Sequence, residues 1–233
     1  MAIQKDTEFI GKIENLIYYK WRDLYCIRTA PSLVRQTDAT KKAALNFGKV
    51  SSRSKLLRKL LDQLIANPRD GEMQKRLKKA LWASIEFAES DNDDFLNHPL
   101  MGFRFNEALA LEECLGFKPQ ISAEAEGHIR VKIPDINPVE LIRAPAGTNR
   151  VQLEIKSISF SFDHVHSYYN TGAIFDIPYI NATHSGMSTD LVIQHQTPCN
   201  VLLVAALAFF QEDTRLERPG YKPVEVVGVF GWK

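Results

Sequence analysis

Apolar residues recur at every second position from His128 onward, whereas between Thr37 and Ser90 they recur every third or fourth. A helix turns once in about 3.6 residues and a strand alternates at every residue, so each half is committed to its own element type. His128–Ile133, Arg150–Phe162, Ala173–Ile180, Thr189–Gln196, Val201–Gln211 and Val224–Trp232 read as strands. Such a run of strands without intervening helices predicts an antiparallel β-sandwich or barrel-like domain. Within Arg150–Phe162 the apolar phase changes from Val151, Leu153 and Ile155 to Ile158, Phe160 and Phe162, which predicts a bulge near Lys156-Ser157. Val201–Phe210 is apolar on both faces and needs a cover on each. The opposite sheet supplies one cover; a helix, the N-terminal hairpin or a neighbouring subunit supplies the other.

The helical half begins at Thr37 or Asp38, either of which suits an N-cap, and runs to about Ala66. Phe47, Val50, Ser54, Leu57, Leu61 and Leu64 mark its apolar face, and Gly48 invites a break. Asn67-Pro68-Arg69-Asp70-Gly71 stops the helix, because proline disfavours helix at the residue before it. A second helix follows from about Glu72 to Ser90, with Leu77, Leu81, Ile85 and Ala88 on one side. The non-apolar faces of this helical hairpin carry Lys49, Arg53, Lys55, Arg58, Lys59, Lys75, Arg76, Lys78 and Lys79. Asp91–Asp94 reads as a turn, and Asn106–Leu115 as a short helix with Gly116 just past its end.

Ahead of the helices, Ile13–Trp21 and Leu24–Thr29 are dense in β-branched and aromatic residues and read as a β-hairpin closed by Pro31. Arg22-Asp23 is poor chemistry for a primed two-residue loop, so a longer turn is expected. An isolated hairpin is marginal in water, so Tyr18, Tyr19, Trp21 and Tyr25 are expected to pack on something else. The fold class expected is α+β in three parts: a β-hairpin arm over 1–35, a basic helical hairpin over 36–98 and a β-rich domain over 99–233.

Charge divides the chain. Residues 1–80 hold 18 Lys and Arg against 8 Asp and Glu, and the remainder holds 11 against 20. Oppositely charged regions favour head-to-tail contact or one polyanionic partner. Cys26, Cys114 and Cys199 are scattered and odd in number, which argues against a zinc knuckle or a disulfide framework and for a reducing compartment. The N-terminus lacks the apolar stretch of a secretory signal, and the ten-residue run Val201–Phe210 is about half of what a spanning helix needs. A cytoplasmic protein is expected, with incorporation into a larger particle as the alternative.

Chemistry-bearing motifs are few. His164-Val165-His166 places two imidazoles on one side of a strand, as a metal site requires, but no glutamate follows at the spacing of cupins. Ser52-Arg53-Ser54-Lys55 has Ser-x-x-Lys spacing without the companion motifs of serine acyltransferases. Glu112-Glu113 and Glu124-x-Glu126 suit solvated faces. No catalytic residue and no cofactor is expected. Arg53, Lys55, Arg58, Lys59, Lys75, Arg76 and Lys79 form the candidate nucleic-acid surface, since clustered cations neutralise phosphates and the aromatic hairpin offers stacking.

Gly11-Lys12-Ile13-Glu14-Asn15-Leu16-Ile17-Tyr18-Tyr19, Ile27–Pro31 and Gln36-Thr37 carry a resemblance. They are similar to the opening of uncharacterised proteins common in Bacteroidetes genomes, which share a Gly-x-Ile-x-Asn-x-Ile hairpin. The resemblance implies a bacterial source and a hairpin, helical segment and β-rich half in that order, and it brings no activity. The expected function is that of a non-enzymatic structural or assembly protein acting through protein–protein contacts. The alternatives are a nucleic-acid-binding module and a small-ligand or metal-binding β-sandwich.

Overall fold

The structure, a computed structural model, describes residues 3–5, 8–32, 36–62, 71–89, 97–107, 109–124, 127–160, 170–193, 199–216 and 222–232. It divides into two compact units, residues 1–45 and 46–233.

The first unit holds β1 (Ile3–Lys5), β2 (Glu8–Ile13), β3 (Leu16–Trp21) and β4 (Leu24–Thr29). They form one antiparallel sheet in the order β1-β2-β3-β4. The expected hairpin is thus the second half of a meander, because Glu14-Asn15 turns the chain where one continuous strand was anticipated. Trp21 pairs directly with Leu24, so Arg22-Asp23 is a two-residue turn and not a longer one. Arg22 meets the demand of that tight turn with a φ of 57°, a left-handed conformation that costs a non-glycine residue about 1 kcal/mol.

In the second unit, helix α1 (Asp38–Leu60, its first turns lying in the first unit) and α2 (Gly71–Glu89) form the helical pair. Thr37 is the N-cap: its Oγ1 accepts from the Thr40 amide at 3.2 Å. Gly48 does not break α1. The expected stop at 67–71 falls largely outside the described residues, as does the turn at 91–94. The expected helix over 106–115 contracts to α3 (Leu111–Cys114).

The strands that follow are β5 (Gln120–Ala123), β6 (His128–Ile133), β7 (Arg150–Phe160), β8 (Asn170–Pro178), β9 (Met187–Val192), β10 (Cys199–Gln211), β11 (Thr214–Arg215) and β12 (Val224–Trp232), with the short helix α4 (Pro138–Leu141) after β6. Strands β8, β7 and β10 lie side by side, with β12 and β11 sharing the far edge of β10. A three-stranded sheet, β5-β6-β9, packs against them. The result is a sandwich with a helical third layer.

Two buried clusters explain the layers. Val201, Leu203, Ala205, Leu207 and Phe209 of β10 join Ile129, Val131 and Ile133 of β6 between the sheets. Leu202, Val204 and Ala206 face the other way, against Val50 and Leu57 of α1, Leu61 just past its end, and Leu77 and Leu81 of α2. Of the covers expected for β10, the helices are the second. From residue 46 on, the helical pair shares this core with the sheet and lies in the second unit.

The same arrangement removes the bulge expected in β7. Its pairing with β10 runs without a shift from Arg150↔Phe210 to Phe160↔Asn200. Val151, Leu153 and Ile155 face the inter-sheet core, while Ile158 faces the helices. Ser157 and Ser159 continue the inward phase as buried small side chains, and Ser157 Oγ donates to the Thr171 carbonyl at 3.2 Å. The apolar phase changes because the chain begins to serve a second core, not because the backbone slips. The register shift lies instead in β12, where Leu203 opposes Gly228 and Val204 opposes Val226.

Candidate interaction surface

Strand alternation decides what the first unit displays. Pairing of Tyr18 with Gly11 and Ile27, and of Lys20 with Tyr25, puts Tyr18, Tyr25 and Ile27 on one face. Pairing of Trp21 with Leu24 and of Tyr19 with Cys26 puts Tyr19, Trp21 and Leu24 on the other. The four predicted contact residues therefore divide two and two across the sheet. None of the side chains described from Phe9 to Ser32 is buried. Trp21 is 60% exposed, Leu24 64% and Ile27 61%.

Cations lie over three of the four rings. Lys20 Nζ sits 5.0 Å from the Tyr25 centroid, the Arg22 guanidinium 5.4 Å from Trp21, and that of Arg28 5.9 Å from Tyr19. Tyr18 instead meets Phe9, with centroids 5.9 Å apart. Tyr, Trp and Arg are the side chains that dominate buried protein contacts, and the same set can stack bases beside phosphates. Phe9 and Ile10 also stand exposed and were missed from the sequence, since two adjacent apolar residues give no usable period.

The helical surface loses part of its predicted set. Arg53 is 3% exposed, on the face of Val50 and Leu57, so it is no surface cation. Its three- and four-residue spacing from those two residues carried that signal. Phe47, expected in the core, is 58% exposed, with Lys78 Nζ 5.8 Å from its ring centroid. Arg76 is spoken for: Nη1 donates to the Arg104 carbonyl at 2.8 Å, and the guanidinium lies 5.5 Å from the Phe103 centroid. Its Nε is 3.1 Å from the Glu107 carboxylate, near enough for an ion pair. Arg58 Nε donates to the Ser54 carbonyl, and Lys75 pairs with Glu72, which raises the Lys75 pKa. Lys55, Lys59 and Lys79 are exposed. Ser52 and Lys55 are both exposed on α1.

His164 and His166 lie outside the described residues. Among the described residues no cluster of His, Cys, Asp or Glu is arranged to hold a metal ion. Glu113 accepts from the Ala110 amide at 3.3 Å, and Glu124 pairs with Arg130, so both carboxylates have structural work. Burial pushes the Cys114 thiol up to about 11, which keeps it unreactive. No helix among the described residues is long and apolar enough to cross a membrane.

A second feature was not legible in advance. His98 is buried at 4% exposure beside a cavity of about 530 Å³, and burial lowers its pKa to about 4. Its Nδ1 accepts from the Leu100 amide at 3.1 Å, and its ring meets Phe87 edge-on with centroids 5.1 Å apart.

No family model, no curated protein and no solved structure matches the chain.

Proposed function

We propose that this chain is a non-enzymatic assembly protein whose N-terminal sheet joins it to further copies of itself. One observation carries the reading: the sheet presents aromatic and aliphatic side chains on both faces and none of those described is buried. A single layer of strands needs a covered face for stability, so its cover is to be supplied on association. A second copy is the favoured partner because β4 pairs only with β3 among the described strands, and a second sheet edge can continue it. A cytoplasmic setting, incorporation into a larger particle and a bacterial source belong to the same proposal.

Light scattering on the full chain and on a chain lacking residues 1–30 tests it at low and high salt. The full chain should exceed the mass of one copy, and the truncated chain should be folded and monomeric. A monomeric full chain overturns self-association. A truncated chain that fails to fold shows the sheet to be part of the main core.

The cations over Tyr19, Trp21 and Tyr25 favour one second reading, a single-stranded nucleic acid stacked on the sheet. Its mark is affinity for an oligonucleotide that falls steeply with salt.

A further inference from the structure

The cavity beside His98 is built by the loop 97–102, by α3 with the loop to Pro119, and by β12 at Glu225–Val227, more than a hundred positions further along the chain. At about 530 Å³ it falls within the range of roughly 300–1,000 Å³ usual for small-ligand sites. Met101, Leu111, Leu115, Phe117 and Val227 give it mainly apolar walls. Val226 and Val227, neighbours on one strand, both border it at the register shift of β12, and such shifts commonly re-aim a strand beside a site. Gly102, at a φ of 70°, brings the loop against the strand by donating to the Val226 carbonyl at 3.0 Å.

The polar groups define what the cavity accepts. Because His98 Nδ1 accepts the Leu100 amide, the neutral ring carries its proton on Nε2 and is a hydrogen-bond donor there. The Glu225 carboxylate accepts from the Leu111 amide at 3.1 Å. Glu112 and Lys118 also line the cavity, so its carboxylates outnumber its one cation and anions are disfavoured. We propose that this cavity binds an uncharged, mainly apolar small molecule bearing a hydrogen-bond acceptor, oriented by His98. The site stands apart from the assembly reading and does not depend on it.

Prodan, an uncharged naphthalene ketone whose emission reports polarity and hydrogen bonding at its carbonyl, is a suitable probe. Titrated into the full chain, it should bind saturably with emission moved to shorter wavelength. Met101→Trp and Val227→Phe, which fill the cavity from its mouth and its strand side, should each weaken binding at least tenfold. His98→Phe, which keeps the ring and removes the donor, should weaken it several-fold and shift the bound emission further towards the blue. Trp21→Lys, on the exposed N-terminal sheet, should leave Prodan binding unchanged. Binding unaffected by both filling variants, or lost in Trp21→Lys, overturns the proposal. Should His98→Phe fail to fold, the two filling variants decide alone.

Discussion

Two sheets in this molecule share a rare property, apolar side chains on both faces, and they differ in what covers them. β10 alternates Val201, Leu203 and Ala205 towards one sheet with Leu202, Val204 and Ala206 towards the helices, and all six are buried. β3 and β4 alternate in the same manner, Tyr18 and Ile27 against Tyr19 and Trp21, and none is buried. Two-sided apolarity therefore records a requirement for two covers. It does not record whether the same chain provides them. The covered sheet is the scaffold, and the uncovered one is the surface on which the proposed assembly depends.

The largest effect expected is the one that breaks this comparison most directly. Leu203→Asp and Val204→Asp should each destabilise by about 3–5 kcal/mol, because each leaves an unpaired charge in a different core. Trp21→Asp and Ile27→Asp, on the two faces of the exposed sheet, should leave the stability of a monomeric sample, read from thermal melts, within about 0.5 kcal/mol of wild type. A mild Leu203 or Val204 variant, or a severe Trp21 or Ile27 variant, would dissolve the distinction.

A smaller effect concerns how the helical cover is fastened. Arg76→Ala removes the bond to the Arg104 carbonyl and the contact with Phe103, and should cost about 1–3 kcal/mol in urea denaturation. Lys79→Ala, on the exposed side of the same helix, should be neutral. Equal effects would mean that Arg76 is only a solvated cation, as the charge pattern alone had it.

The smallest effect is a pH dependence of the covered unit. The folded-state pKa of His98 is lowered by burial to about 4, below the ordinary imidazole value of 6.5, so the unfolded chain binds more protons between those values. Its contribution is complete above about pH 6.5 and is lost as pH falls towards 4, by on the order of 1–2 kcal/mol once partial wetting of the cavity is allowed for. His98→Phe should flatten that window in pH-resolved melts. An unchanged profile in the variant would assign the slope to other groups.

Local periodicity made the two helices, six of the strands and the two-sided nature of β10 legible, because repeat length reports which face of an element is apolar. Thr37 announced the first helix for an equally local reason, a hydroxyl able to reach the amide of Thr40. The strands β1, β2, β5 and β11 gave no such warning, being short or broken by Glu14-Asn15.

Tertiary structure alone settled the rest. The apolar phase of β7 has two readings, a slipped backbone or a second core, and only the helices packed on Ile158 separate them. Phe47 is exposed because burial depends on which stretch of α1 the sheet and α2 cover, which no helical period encodes, whereas Arg53 lies on the buried face that its spacing from Val50 and Leu57 marks. The cavity at His98 joins residues more than a hundred positions apart in the chain, Asn97 to Val227, through the pairing of β12 with β10. Sequence pattern fixes which faces must be buried; long-range strand pairing and layer packing decide what buries them.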